Sequence, residues 1–345
     1  MKNYLLLLCL ACSTVAAVAQ DNDGRTPYLT KSLASNAINS VIVNTSAGGI
    51  SVSGQSGQAP RVDVYIRGDN GRELSREEIQ KRLDDDFDLS ITVNGHEVTA
   101  IAKSKRNFNF GRKSLSISFK IYVPQQTATD LKTSGGGIRL DNLKGNETFS
   151  TSGGGLQLDR LYGTIRGTTS GGGINVSNSG DNLSLSTSGG GITAKNCTGQ
   201  IKLTTSGGSL RLNNLKGTIY ATTSGGGVDG GNIEGELVTS TSGGGIDLVQ
   251  MACSLNAATS AGGLHVQMKQ VGKYLKLNAS AGNIDLELPS KQGLDLDMRA
   301  DGISQTKLGS FSGTWDNEHI KGSVNGGGIP VKAYASSGNL SIKFN

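Results

Sequence analysis

The chain has 345 residues and a formal net charge of +5, with 33 Lys and Arg interspersed among 28 Asp and Glu. So mild a balance argues against nucleic acid as a partner, and no stretch reaches the run of about 18 apolar residues that a membrane-crossing helix needs. Fifty-one glycines against five prolines would suit collagen or low-complexity disorder. Here the glycines fall at fixed places among alternating apolar and β-branched residues, which excludes both.

Residues 1–19 read as a secretion signal: Lys2 is the positive start, Leu5 to Leu10 the apolar stretch, and Ala17-Val18-Ala19 the cleavage site before Gln20. The mature protein is therefore expected in the periplasm, on the cell surface or outside the cell. Cys12 after Leu10-Ala11 raises the question of lipid attachment, but Cys9 stands where such a signal wants a branched aliphatic. Cys9 and Cys12 leave with the signal, and Cys197 and Cys253 remain. The repeat described below puts that pair three coils apart, about 14 Å at ~4.8 Å per coil. A disulfide spans at most about 7 Å between Cα atoms, so both are read as small buried hydrophobes.

Residues 20–37 are expected to be flexible, and 38–132 to form an N-terminal β region. Its strand-like stretches are 61–67, 89–93, 96–102 and 115–123, and 76–85 is predicted as a short helix. Ser75 caps that helix, and Glu78 completes a capping box. Asp84-Asp85-Asp86 lacks the glycine-bearing loop of a calcium site and reads as a solvated charge run.

The most informative signal begins at Thr133. Thr-Ser-Gly-Gly-Gly-Ile returns with small variations at Thr151, Thr169, Thr187, Thr205, Thr223, Thr241 and Thr259, always 18 residues on. Invariant spacing of this kind means a solenoid in which each coil sits in register on the next. With Thr as position 1, position 6 is always aliphatic (Ile138, Leu156, Ile174 onward), and position 8 mostly so, Gly230 being the exception. Positions 15 and 17 alternate likewise, so each coil carries two short strands with one buried face. The glycine triplet separates them as a tight corner where glycine's access to positive φ and its missing side chain let coils stack. A second corner spans positions 9 to 13, with Asn142, Asn178, Asn196, Asn214 and Asn232 at position 10. Those residues suit left-handed backbone and could stack as an amide ladder. The expected fold is an all-β single-stranded β-helix, or β-solenoid, with one short helix near its start. Its regular array covers 133–276, its terminal coils need capping, and 277–345 form irregular coils and a cap.

Looser copies occur at Thr45-Ser46-Ala47-Gly48-Gly49-Ile50, Ala279 to Ile284, Ala300 to Ile303 and Ala335 to Leu340. Tyr122-Val123-Pro124, then Thr129-Asp130-Leu131-Lys132 running into Ser134-Gly135-Gly136-Gly137-Ile138 and the recurring steps, resembles the putative-adhesin family of exported bacterial β-strand-repeat proteins. That family is labelled auto-transporter adhesin head, GIN-like, a domain of unknown function. The likeness covers roughly 38–345 and implies a right-handed single-stranded β-helix outside the cytoplasmic membrane. It brings no ligand and no functional residues, because its motif positions are structural glycines and aliphatics.

Chemistry is sparse. Position 7 places Arg211, Asp229, Asp247 and His265 outward on successive coils, with Asp285 continuing the row. An acidic stripe of this kind would suit a polysaccharide-acting enzyme, the alternative to a binding role. A calcium solenoid is excluded because Ile, Leu or Val follows the glycines where an aspartate ligand would have to stand. The insert 309–328 carries Trp315, Phe311 and His319, read first as a cap and second as a recognition spot. The reading that remains is a non-enzymatic adhesin-like binder or envelope scaffold. It needs no cofactor or metal; its candidate contact face is Arg211, Asp229, Asp247, His265 and Trp315. A glycan, an envelope component or another protein is the expected partner, and self-association through an end coil is a further possibility.

Overall fold

The structure is a computed structural model that describes residues 26–55, 57, 59–68, 72–105, 114–305 and 310–345. The signal segment 1–19, with Cys9 and Cys12, lies outside the described residues.

Like stacks on like. Ile138 pairs with Leu156, Leu156 with Ile174, and the series continues through Ile192, Leu210, Val228, Ile246 and Leu264, all in parallel register. These side chains are at most 2% exposed. Each burial of this kind stabilises by about 1.5–3 kcal/mol. Positions 8, 11, 15 and 17 complete a single apolar core that runs the length of the molecule. Small residues in it answer to large ones. A Cβ on Gly167 would meet Phe149 of the preceding coil at 2.1 Å, and one on Gly230 would meet Leu248 of the following coil at 2.7 Å.

Pairing continues through the second corner, so one coil is often a single long strand such as Leu156–Thr169 or Ile246–Thr259. The bend within it comes from left-handed backbone at position 10, where Asn142, Asn178, Asn196, Asn214 and Asn232 have φ between 50° and 57°. Arg160 and Gln250 adopt the same conformation at φ 52° and 59°. The amide ladder forms only in part: Asn214 Nδ2 donates to Asn196 Oδ1 at 3.0 Å, and Asn196 Nδ2 to Asn178 Oδ1 at 3.1 Å. Arg160 instead bridges Asp141 and Asp159, each at 2.5 Å.

Of the two properties expected of the glycine triplet, the missing side chain is the one the regular coils use. The triplet's middle glycine does not need positive φ in the regular coils; it needs the absence of Cβ. A Cβ on Gly154, Gly172, Gly190 or Gly208 would lie 2.0–2.2 Å from the carbonyl oxygen of the glycine one coil earlier. The Thr at position 1 locks this corner. Thr187 Oγ1 donates to Gly172 O of the previous coil at 2.8 Å and accepts from Gly190 N at 3.3 Å. The same two bonds recur at Thr151, Thr169, Thr205, Thr223, Thr241 and Thr259.

At both ends, stacking order departs from chain order. Strands Ser40–Thr45 and Ile50–Gly54 lie between an outer coil made by Glu97–Ser104 with Leu115–Val123 and an inner coil made by Ala128–Thr133 with Ile138–Thr151. At the other end, Ile329–Ala335 and Asn339–Phe344 slot between Leu264–Ala279 with Ile284–Leu288 and the outer pair Leu294–Arg299 and Gly302–Gln305. Antiparallel strands then cover the edges. Leu29–Ser32 and Arg61–Gly68 add beside Leu115–Val123, while Phe87–Asn94 adds beside Glu97–Ser104. His319–Val324 and Phe311–Trp315 close the far end. The parallel strands Glu97–Ser104, Leu115–Val123 and Leu294–Arg299 are thus left without an open edge. The segment read as flexible, 20–37, thus contains the strand Leu29–Ser32.

The helix spans Arg76–Asp86, and Ser75 Oγ accepts from Glu78 N at 3.2 Å as its cap. The reciprocal half of the box is not made by Glu78, whose carboxylate pairs with Arg82 one turn on. Cys197 and Cys253 are both free and buried.

Candidate functional site

Positions 6 and 8 are anchored in the core, so the pleat turns position 7 outward on every coil. In register, Arg211 lies beside Asp229, Asp229 beside Asp247, Asp247 beside His265, and His265 beside Asp285. All five are exposed, one rung apart at about 4.8 Å. Asp229, Asp247, His265 and Asp285 share an open groove of about 730 Å³, whose floor is the glycine corner at Gly227, Gly245 and Gly263.

Four of the five sequence candidates therefore share one face. Trp315 does not join them. It sits on the strand Phe311–Trp315, two strands beyond Leu294–Arg299, at the edge of the other face of the stack. It is 44% exposed there.

The same column extends toward the other end of the molecule and changes sign. Upstream of Arg211 come Thr193, Asn175, Gln157 and Arg139, then Ser51 and Lys120. A larger groove of about 1070 Å³ opens at this end, lined by Tyr65, Arg67, Lys120, Arg139, Gln157 and Asn175 together with several serines and the glycine corner. Among the described residues, no acidic side chain lines it. One edge of the molecule thus runs from basic, through amide and hydroxyl, to acidic. Sequence reasoning found the acidic half because it lies within the repeat. The basic groove escaped it because Tyr65, Arg67 and Lys120 come from outside the repeat, although Arg139 at position 7 was legible.

An acid–base pair acting on a glycosidic bond needs two carboxyl groups in unlike surroundings. Asp229, Asp247 and Asp285 share one outward environment. Among the described residues, no group of three or more His, Cys, Asp or Glu is placed to hold a metal ion. None of the described helices is long and apolar enough to cross a membrane.

A second feature went unread in the sequence. Glu147 takes position 15 in the core column, between Thr129 and Ile165 of the neighbouring coils. It is fully buried. Thr129 Oγ1 donates to its Oε2 at 2.5 Å, and Oε1 has no hydrogen-bond partner. Burial pushes this carboxyl up to about 7, only partly opposed by the Thr129 bond.

These features define an all-β protein of stacked parallel coils, in which the glycine corner and the aliphatic columns carry the architecture and the outward row is exposed. The chain belongs to the Toastrack DUF4097 family, whose pattern matches residues 38–343. This agrees with the adhesin-family resemblance read from the repeat. No curated protein matches the chain. Among solved structures it is similar to a putative cell adhesion protein from Clostridium sporogenes, with 11% identity, 92% of this chain and 98% of that chain covered, and a TM-score of 0.20. It is also similar to a putative adhesin from Bacteroides fragilis, with 13% identity, coverage of 92% and 96%, and a TM-score of 0.22.

Proposed function

We propose that this protein is an exported, non-enzymatic β-solenoid that acts as an adhesin-like binding protein or envelope scaffold. Its central coils wind as a right-handed single-stranded β-helix. The observation that carries the reading is the outward row from Lys120 to Asp285, one polar side chain per rung, with an open glycine-floored groove at each end. A rigid row of that kind presents regularly spaced hydrogen-bonding groups to an extended partner at little entropic cost, because the groups are already ordered. The partner is a glycan, a cell-envelope component or another protein. The test is binding of the purified protein to isolated envelopes and a glycan panel, alongside deletion of the gene. Absence of binding, together with unchanged surface properties in the deletion strain, would sink the proposal.

A polysaccharide-acting enzyme is the second reading, favoured by the convergence of Asp229, Asp247, His265 and Asp285 on one groove. It requires breakdown of acidic glycans that disappears in Asp229→Asn and Asp247→Asn variants; a wild-type protein without such activity rules it out.

A further inference from the structure

The basic end of the row is a built recess. On the coil side, chain after chain turns at Gly137, Gly155 and Gly173, which leaves a floor without side chains. On the capping side, the antiparallel pair Leu115–Val123 and Arg61–Gly68 runs straight past that level. Phe119 pairs with Ile50, while residues 115–118 pair with the capping strand at 65–68 and touch the coil where Ile117 N donates to Ala47 O. Leu115 and Ile117 are buried, so Ser116 and Ser118 form the wall beside the glycine floor. Tyr65 and Arg67 project from that wall, and the Lys120 ammonium lies 5.3 Å from the Tyr65 ring centre. Arg139, Gln157 and Asn175 enter from the floor side on consecutive rungs.

Among the described residues, three cations face this recess, no carboxylate lines it, and neither Arg67 nor Arg139 makes an ion pair. Guanidinium groups fit planar or tetrahedral oxyanions through paired N–H bonds. The serine hydroxyls and the Gln157 and Asn175 amides between them suit the hydroxyls of a sugar. Nucleic acid fits less well: among the described residues the recess offers Tyr65, which its own Lys120 already overlies, and a buried Phe119, whereas single strands stack their bases on several open rings.

We infer that this recess binds a strand of acidic polysaccharide, its carboxylate or sulfate groups on Arg67 and Arg139 and its hydroxyls on Gln157, Asn175 and the serines. The inference rests on the binding role proposed above and gives it a location and a ligand class. The polymer lies along the row with successive sugars over successive rungs, and the acidic half beyond Arg211 repels it, so the polymer stays at one end of the groove.

The test is calorimetric titration of the full protein with oligogalacturonate, with sulfated dextran, with a neutral galactose oligomer of equal length, and with oligothymidylate. Oligogalacturonate or sulfated dextran should bind at least about tenfold more tightly than the neutral oligomer, and the preference should shrink with added salt. Arg67→Gln combined with Arg139→Gln should abolish the preference. Lys202→Gln, which removes an exposed charge on the other face, should leave it intact, and unchanged melting of each variant shows that the fold persists. Equal binding of neutral and acidic oligomers overturns this inference while leaving a glycan-binding role standing. Binding of no oligosaccharide at all removes the inference and any glycan role together. Tighter binding of oligothymidylate than of both acidic glycans also overturns it.

Discussion

Glu147 offers the sharpest check on the packing described above. It stands in a column otherwise filled by Thr129, Ile165 and Leu183, and burial raises its carboxyl from 4.5 to about 7. At about 1.4 kcal/mol per unit, that displacement corresponds to roughly 3 kcal/mol. The sign follows from proton uptake. Below the unfolded value near 4.5, the group is protonated in both states and costs nothing. Between there and about 7 the folded chain holds a proton that the unfolded chain releases, so stability falls as pH rises through that window and then levels off. Replacing Glu147 by Gln removes the charge and keeps an oxygen for the Thr129 hydroxyl, while its NH₂ sits unpartnered where Oε1 was. That orphan costs about 1–3 kcal/mol at every pH. Urea unfolding of both proteins at about pH 5 and about pH 8 isolates the effect. Relative to wild type, Glu147→Gln should gain roughly 3 kcal/mol on going to the higher pH. A difference between the two proteins that stays constant within about 0.5 kcal/mol would show that Glu147 does not titrate as a buried core group.

The corner makes equally direct demands. Thr187→Val keeps the shape but strands Gly172 O and Gly190 N, and should lower unfolding free energy by about 1–3 kcal/mol in denaturant titration. Gly172→Ala should be severely destabilising or insoluble, because its Cβ would stand 2.0 Å from Gly154 O. Gly171→Ala should be tolerated, since its nearest neighbour is 3.6 Å away; similar melting temperatures for the two variants would refute the close-approach account. Burial pushes the Cys253 thiol up to about 12, so Cys197 and Cys253 should resist alkylation in the native protein and react only in urea, as residue-resolved mass spectrometry would report.

The repeat was legible because stacking forces each position to meet its own kind one coil later. Ile138, Leu156 and Ile174 therefore advertised the core, and the asparagines advertised the left-handed bend. The role of Thr187 was half legible: the repeat marks its position, but only coordinates reveal that it clamps a carbonyl of the preceding coil. The end topology was not legible, because the copy at 45–50 carries no mark saying that it stacks beneath 133–138 with Glu97–Ser104 and Leu115–Val123 on its outer side. Glu147 was hidden for the opposite reason: one polar residue in an aliphatic column is averaged away by its neighbours. The acidic half of the outward row could be read from position 7. Its basic end could not, because Tyr65, Arg67 and Lys120 are brought there by pairing across the cap.

The out-of-order coils change how the molecule would respond to tension. In a simple stack, the outermost turn can be stripped away one bond at a time. Here the strand Asn339–Phe344 is gripped along both edges, by Ile284–Leu288 on one side and Gly302–Gln305 on the other. A pull along that strand loads two rows of hydrogen bonds in shear at once, so the fold should yield abruptly at high load instead of unravelling turn by turn.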